Sequence, residues 1–409
     1  MKYQVVRNVK YDYAGQSYST VYPNLHKYPA TMLPQIGIDI LKELNVSDGR
    51  LLDPYCGSGS SFASGLECGI KEMYGFDINP LAVLISKAKF TKVPINELIE
   101  TRKMFRNDLY EFLKNEANIK TLMRPSITNI DFWFSKEVID NLTIVKHFIY
   151  KIESQNIRNF FLIPFSETVR ECSYTRNNEF KLFRMKEKDL LSFNPDVISV
   201  YFKKFDDMLF LYSNFYFPKL KETNIDVQYA KFQPQNDYFD VVLTSPPYGD
   251  SRTTVAYGQF STLSNEWMGI DYARKIDGML MGGTKLQHNI SKGIIADYIS
   301  QINKVDNHRA LDVSAFYNDL DVSIKKVGNS IKKGGKSIYI VGNRTVKNVL
   351  LPTDQFIAEK FEENGFKHII TYKRALSNKS MPSRNSPTNE TGKTVNTMLF
   401  EYIVACEKK

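Results

Sequence analysis

Residues 50–60 read RLLDPYCGSGS, and this stretch decides the fold. Arg50-Leu51-Leu52-Asp53 is a short apolar run closed by an acid, the pattern of a buried strand. It runs into a turn with two glycines, Cys56-Gly57-Ser58-Gly59, and the small and apolar residues from Ser60 to Cys68 predict a helix directly after it. Downstream, residues 72–77 (EMYGFD) predict a second strand that again ends in an acid, Asp77. Asn79-Pro80 then supplies an N-cap and a first-turn proline for a helix over 80–92. Upstream, the apolar spacing of residues 35–45 (QIGIDILKELN) predicts an amphipathic helix. A β-α-β-α opening of this kind predicts an α/β fold around a mostly parallel, doubly wound sheet.

Beyond residue 94 the pattern turns helical and aromatic, up to about residue 222. Ser135 is placed to cap a helix whose face carries Val138, Ile139, Leu142, Val145 and Ile149. Strand signals return at residues 239–243 (FDVVL), followed by Thr244-Ser245-Pro246-Pro247-Tyr248. Residues 251–308 are polar and poorly periodic. A helix over 313–332 leads through Gly334-Gly335 to a strand over 337–341. Two β-rich runs, 367–373 and 397–406, predict an antiparallel hairpin closing the sheet, with the polar, basic segment 376–396 at its tip.

Two motifs carry chemistry. In the first, Asp53 to Gly59, glycines let backbone approach a ligand closely, and an acid ending the second strand, Asp77, suits a pair of ribose hydroxyls. The third glycine of the dinucleotide fingerprint is missing, because Phe62 stands in its place. An acid inside the turn would repel a pyrophosphate and suits a cationic amino-acid moiety. In the second motif two prolines fix the backbone and free its carbonyls from the sheet ladder. Ser245 and the Pro246 carbonyl are then available to accept hydrogen bonds from an amino group, and Tyr248 offers a ring for an extruded base.

On these residues the chain resembles the S-adenosylmethionine-dependent DNA amino-methyltransferases of restriction-modification type. Asp53, Pro54, Tyr55, Gly57, Ser58 and Gly59 are similar to that family's cofactor motif, with Asp77 as its ribose acid and Ile78 beside it. Thr244 to Tyr248 resembles its catalytic motif, in the Ser-Pro-Pro-Tyr form usual for cytosine-N4 enzymes, with Thr244 at the cofactor side. His26-Lys27-Tyr28-Pro29-Ala30 resembles the segment closing over the methionine end of the cofactor, which implies cofactor contacts from Tyr28, Pro29 and Ala30. Residues 226–232 (DVQYAKF) depart from the family's pattern, lacking the usual acid of the adenine-contacting segment. The resemblance implies a Rossmann-like methyltransferase fold, S-adenosyl-L-methionine as cofactor, and a catalytic set of Ser245, Pro246, Pro247 and Tyr248. It implies methyl transfer to N4 of a flipped cytosine, with no metal and no covalent intermediate. The absence of a Pro-Cys dipeptide agrees, since carbon-5 methylation needs that nucleophile. Adenine N6 in DNA, guanine N2 in transfer RNA, and a dead DNA-binding subunit remain the alternatives.

In domain terms, residues 1–94, 223–262 and 309–409 read as a discontinuous methyltransferase core. Residues 95–222 read as a helical insertion for target recognition and 263–308 as a second variable insertion. A net charge of +9 and a pI near 9.0 fit a polyanionic partner, here double-stranded DNA. Candidate DNA contacts are Arg170, Arg176, Lys181 and Arg184 beside Tyr174, Arg252 just past the catalytic motif, and Arg374, Lys379, Arg384 and Lys393 near the C-terminal loop. The resemblance also leaves room for a cognate restriction endonuclease or a second methyltransferase as partner. His26, Trp133 and Trp267 read as packing residues. Four widely spaced cysteines give no zinc or disulfide framework, and no apolar run suits a signal peptide or membrane span. The expectation is a cytoplasmic protein.

Overall fold

The computed structural model describes residues 2–15, 22–29, 31–176, 179–250, 254–376, 384–385, 395–396 and 398–409. Ala30, Arg252, Lys379 and Lys393 fall outside the described residues. An eight-stranded sheet organises the chain. Its strands are β1 (Val5–Arg7), β2 (Arg50–Asp53), β3 (Glu72–Asp77), β4 (Asn224–Tyr229), β5 (Phe239–Thr244), β6 (Ile331–Gly342), β7 (Phe366–Ala375) and β8 (Phe400–Lys408). Their order across the sheet is β1-β7-β8-β6-β5-β2-β3-β4. All neighbours run parallel except β8, which is antiparallel to both β6 and β7. The α/β fold with a closing antiparallel hairpin is therefore the one the β-α-β-α opening implies.

The sheet is covered on both faces, and neighbouring residues of one strand divide between the two cores. Leu51, Val241, Leu243, Ile338 and Ile340 pack into one apolar cluster. Leu52, Val242, Tyr339 and Val341 pack into the other. Strands buried on both sides read as continuous apolar runs, which is why FDVVL and its like stood out. The first cluster joins the helices Pro34–Glu43, Ser60–Glu67 and Pro80–Phe90 to the helical region. That region contributes Ile95–Leu113, Lys136–Tyr150, Gln155–Glu171 and Val197–Leu211, through Phe105, Phe161, Tyr201 and Phe205. Residues 95–222 thus share one core with the sheet. The second cluster holds the helices Ala296–Val305, Asn307–Ser330 and Thr353–Glu363.

Local signals act where expected. Ser135 caps Lys136–Tyr150 by accepting from the Val138 amide, and Asn79 caps Pro80–Phe90 by accepting from Leu81. His26, Trp133 and Trp267 are buried. Residues 254–308 are more ordered than their polarity suggests, holding the helices Tyr257–Trp267 and Ala296–Val305. The boundary drawn at residue 262 falls inside the first of these.

Candidate active site

Sequence order along the sheet reverses between β2 and β5, and a crevice opens beyond the carboxyl ends of such strands. A cavity of about 330 Å³ lies there, lined by Asp53, Pro54, Tyr55, Gly57 and Ser58 of the first motif, with Asp77 at the end of β3 and Ile78 just beyond it. Tyr28 and Pro29 close one side. Ser245 and Pro247 bring the second motif to the same space. Parallel pairing of β2 with both β3 and β5 produces this convergence, because it aligns the ends of the strands that carry the motifs.

Asp53 is buried at the end of β2. Its Oδ1 accepts from Thr244 Oγ1 at 2.6 Å and from the Tyr55 amide at 3.0 Å, and its Oδ2 from Ser61 Oγ. Burial nevertheless pushes its carboxyl up to about 6, and the charge of Asp77 adds to that. Asp77 accepts from the Gly57 amide at 3.0 Å and the Asn79 amide at 2.8 Å. Burial raises it to about 6 as well, against those backbone hydrogen bonds. Among the described residues no basic side chain is hydrogen-bonded to either carboxylate. Asp53 Oδ1 is filled by its two hydrogen bonds, whereas Asp53 Oδ2 and the Asp77 carboxylate retain accepting capacity, so the acceptor set fits a ligand bearing hydroxyls and a positive charge.

The helix Pro80–Phe90 holds the glycine-rich turn from beneath. Ser86 Oγ donates to the Gly57 carbonyl at 2.8 Å and Lys89 Nζ to the Ser58 carbonyl at 3.0 Å. Burial pulls the Lys89 amine down to about 7. Asn79 is a second anchor. Its amide donates to Tyr28 Oη at 3.1 Å and Ser261 Oγ at 3.1 Å, fixing Tyr28, which stacks against Tyr257 at 5.9 Å on the cavity wall.

In the second motif, Ser245 Oγ and Tyr248 Oη lie 3.2 Å apart, and Tyr248 Oη donates to Glu401 Oε1 at 3.2 Å. Burial, and then the charge of Glu401, raises the Tyr248 phenol well above its ordinary range. It is a neutral donor at any working pH.

Several expected site residues have other work. Thr244 does not line the cavity; it is fully buried and acts through its hydrogen bond to Asp53. Gly59 sits outside the cavity at φ +83°, capping Ser60–Glu67, and a Cβ there would stand 2.4 Å from the Phe90 ring. Pro246 is buried, and neither it nor Tyr248 lines the cavity. Arg170 is corrected outright as a DNA contact. It is buried, with Nη1 donating to the Phe260 carbonyl at 3.0 Å, Nη2 donating to Glu179, and its Cζ 4.2 Å from the Phe260 ring centre. Arg374 is corrected likewise, lying buried in β7 in an ion pair with Glu401. Arg176, Lys181 and Arg184 do share one hairpin. Lys181 is exposed, Arg176 pairs with Glu179 at 3.2 Å, and Arg184 lies 4.4 Å from the Phe132 ring centre. Arg384 lies in a two-residue strand opposite Asn396.

Further residues complete the cavity. Ala230, Lys231 and Phe232 reach it from beyond β4, at the segment lacking the usual acid. Met279, Leu280 and Met281 form a wall, held by Asp319 accepting from the Gly282 amide at 2.9 Å. Ser323 supports Tyr55 through their hydroxyls. Ala230 to Phe232 belong to the segment that the resemblance places at the adenine ring; nothing local in the sequence marks Met279, Leu280, Met281 or Ser323, which tertiary packing alone brings to the cavity.

No family model matches the chain. It is 39% identical over 411 residues to Type II methyltransferase M.MvaI of Kocuria varians, covering 93% of this chain and 89% of that one. Type II methyltransferase M.MjaII of Methanocaldococcus jannaschii is 35% identical over 92 residues, 22% of this chain and 17% of the relative. A solved structure from Thermus thermophilus, described as a candidate DNA modification methylase complexed with S-adenosyl-L-methionine, matches 25% of this chain and 40% of its own. The identity is 22% and the TM-score 0.18.

Proposed function

The chain belongs to the type II DNA methyltransferases, and we propose that it transfers a methyl group from S-adenosyl-L-methionine to N4 of a cytosine flipped from duplex DNA. The observation that carries this reading is the shared cavity joining the carboxylates of Asp53 and Asp77 to Ser245. Asp77 accepts the ribose hydroxyls. The turn at Asp53 to Ser58, with Tyr28 and Pro29 opposite, takes the methionine end, and Ala30 continues that segment. Ala230, Lys231 and Phe232, beside Ile78, take the adenine ring. When bound, the cofactor supplies an electrophilic sulfonium methyl.

The amino group of cytosine is conjugated with its ring and is a poor nucleophile. Hydrogen bonds from it to Ser245 Oγ and the Pro246 carbonyl favour a more tetrahedral nitrogen aimed at the methyl. Pro247 stiffens that backbone and Tyr248 presents its ring to the base. Placement and preorganised acceptors supply most of the rate. Arg176, Lys181 and Arg184 on their hairpin, together with Arg252, Lys379 and Arg384, contact DNA phosphates. Serine at 245, where adenine-N6 enzymes usually carry an acid or amide, supports cytosine as the target. A cognate restriction endonuclease is the companion such a system implies.

The test is transfer of labelled methyl groups into duplex DNA by the wild-type protein and by Ser245→Ala. The expected result is incorporation by the wild type, with a loss of about 10²-fold or more in turnover for the variant. Donor affinity should stay within a few-fold. Undiminished turnover in Ser245→Ala overturns the catalytic assignment.

A further inference from the structure

Behind the Ser245–Tyr248 pair lies a buried charge pair that the reaction as described does not use. Glu401 on β8 stands directly opposite Arg374 on β7 and Gly342 on β6. Arg374 Nη1 donates to Glu401 Oε2 at 2.6 Å, and both side chains are almost wholly buried, at 4% and 7% exposure. The other carboxylate oxygen, Oε1, accepts from Tyr248 Oη at 3.2 Å. Gly342 makes room for the ring, since a Cβ there would come within 2.8 Å of Tyr248 Cδ2. Burying an ion pair inside a sheet is seldom a gain in stability over an apolar pair of the same size. Its position under the catalytic motif gives it another use.

We propose that Glu401, held by Arg374, is a positioning residue that fixes the direction of the hydrogen bonds through Tyr248, so that Ser245 meets the target amine only as an acceptor. An ionised carboxylate in an ion pair accepts and never donates. The single phenolic proton of Tyr248 is therefore committed to Glu401. The phenolic oxygen is left to accept from Ser245 Oγ, 3.2 Å away, and that bond takes the only hydroxyl proton of Ser245. What Ser245 then offers the cavity is lone pairs, the partner an exocyclic N–H requires. With the direction unfixed, the serine hydroxyl would spend part of its time pointing its proton at the amine. Tyr248 thereby works through its oxygen as well as its ring.

This inference rests on the reading of Ser245 as the acceptor for the target amine. The experiment is steady-state methyl transfer to duplex DNA by Glu401→Gln, Tyr248→Phe and the double variant, with Ser245→Ala alongside. A glutamine can donate, and a phenylalanine keeps the ring but breaks the chain. Each single variant should lose about tenfold or more in kcat, with KM for DNA and donor within about twofold. The double variant should be no worse than either single one, because both remove the same link. An unchanged kcat in Tyr248→Phe, or losses that multiply in the double variant, overturns the proposal. If Glu401→Gln fails to fold, Tyr248→Phe decides alone, since it leaves the ion pair intact. Full turnover in Ser245→Ala would instead remove the underlying reading of Ser245.

Discussion

Thr244 Oγ1 donates to Asp53 Oδ1 at 2.6 Å, so the last residue of β5 is hydrogen-bonded to the last residue of β2 across 191 positions of sequence. The two motifs are thereby one unit. The strand that runs into the proposed catalytic motif also orients the acid of the proposed cofactor turn.

Thr244→Val keeps the volume and removes that donor. The oxygen it served stays buried with one fewer partner, so stability should fall by about 1–2 kcal/mol. Donor affinity should fall several-fold, with kcat at saturation nearly unchanged. Urea denaturation and calorimetric titration with S-adenosylmethionine check this. No change in either would mean that Thr244 only fills space.

Asp53→Asn has a signed pH dependence. Burial holds the Asp53 carboxyl at about 6, above its ordinary value of 3.8. The folded protein therefore binds this proton more tightly than the unfolded chain, and stability from this group is lost as pH rises towards 6. At pH 7.5 the asparagine variant should be more stable than wild type, by up to about 3 kcal/mol. Near pH 4 that advantage should vanish. Denaturant unfolding at both values checks it, and a variant less stable at pH 7.5 would contradict the account.

Asp77→Ala should weaken donor binding at least tenfold, because the ribose hydroxyls lose their acceptor. In the wild type, burial raises Asp77 to about 6, so donor affinity should drop as pH falls below that value. The alanine variant should lack that drop. Isothermal titration from pH 5 to 8 measures both, and a variant binding as tightly as wild type would refute the ribose role.

Arg170 and Lys181 should behave as opposites. Arg170→Ala strips two carbonyls of a buried donor and should cost about 2–4 kcal/mol of stability. Lys181→Ala, at an exposed position, should leave stability within about 0.5 kcal/mol. It should make the slope of log affinity for DNA against log salt shallower by about one. An Arg170→Ala protein of full stability with a reduced salt slope would reverse the two roles.

The β-α-β-α opening was legible because strand pattern, caps and glycines agree there, as at Asn79-Pro80. The long strand β6 begins at Ile331, six residues before the apolar run at 337. Its start, Lys332 to Gly335, is an irregular stretch between the paired residues Ile331 and Lys336 and carries no apolar pattern. The three-residue edge strand β1 offers too little sequence to read. Helix Tyr257–Trp267 was hidden because its buried face carries Ser261, Thr262, Ser264 and Asn265, polar residues that donate hydrogen bonds to backbone and side chains. Arg170 misled for a related reason. A long cationic side chain reads as solvated, and only the folded chain reveals the carbonyls that hold it inside; Lys89 is buried in the same way. Both acids of the proposed cofactor site, by contrast, end predicted strands and were legible from position alone.

The most direct measurement is the identity of the methylated nucleoside in duplex DNA incubated with the protein and methyl-labelled S-adenosylmethionine, read by mass spectrometry after digestion. The account predicts labelled N4-methyldeoxycytidine. Labelled N6-methyldeoxyadenosine in its place would contradict the assignment of Ser245 to a cytosine amine.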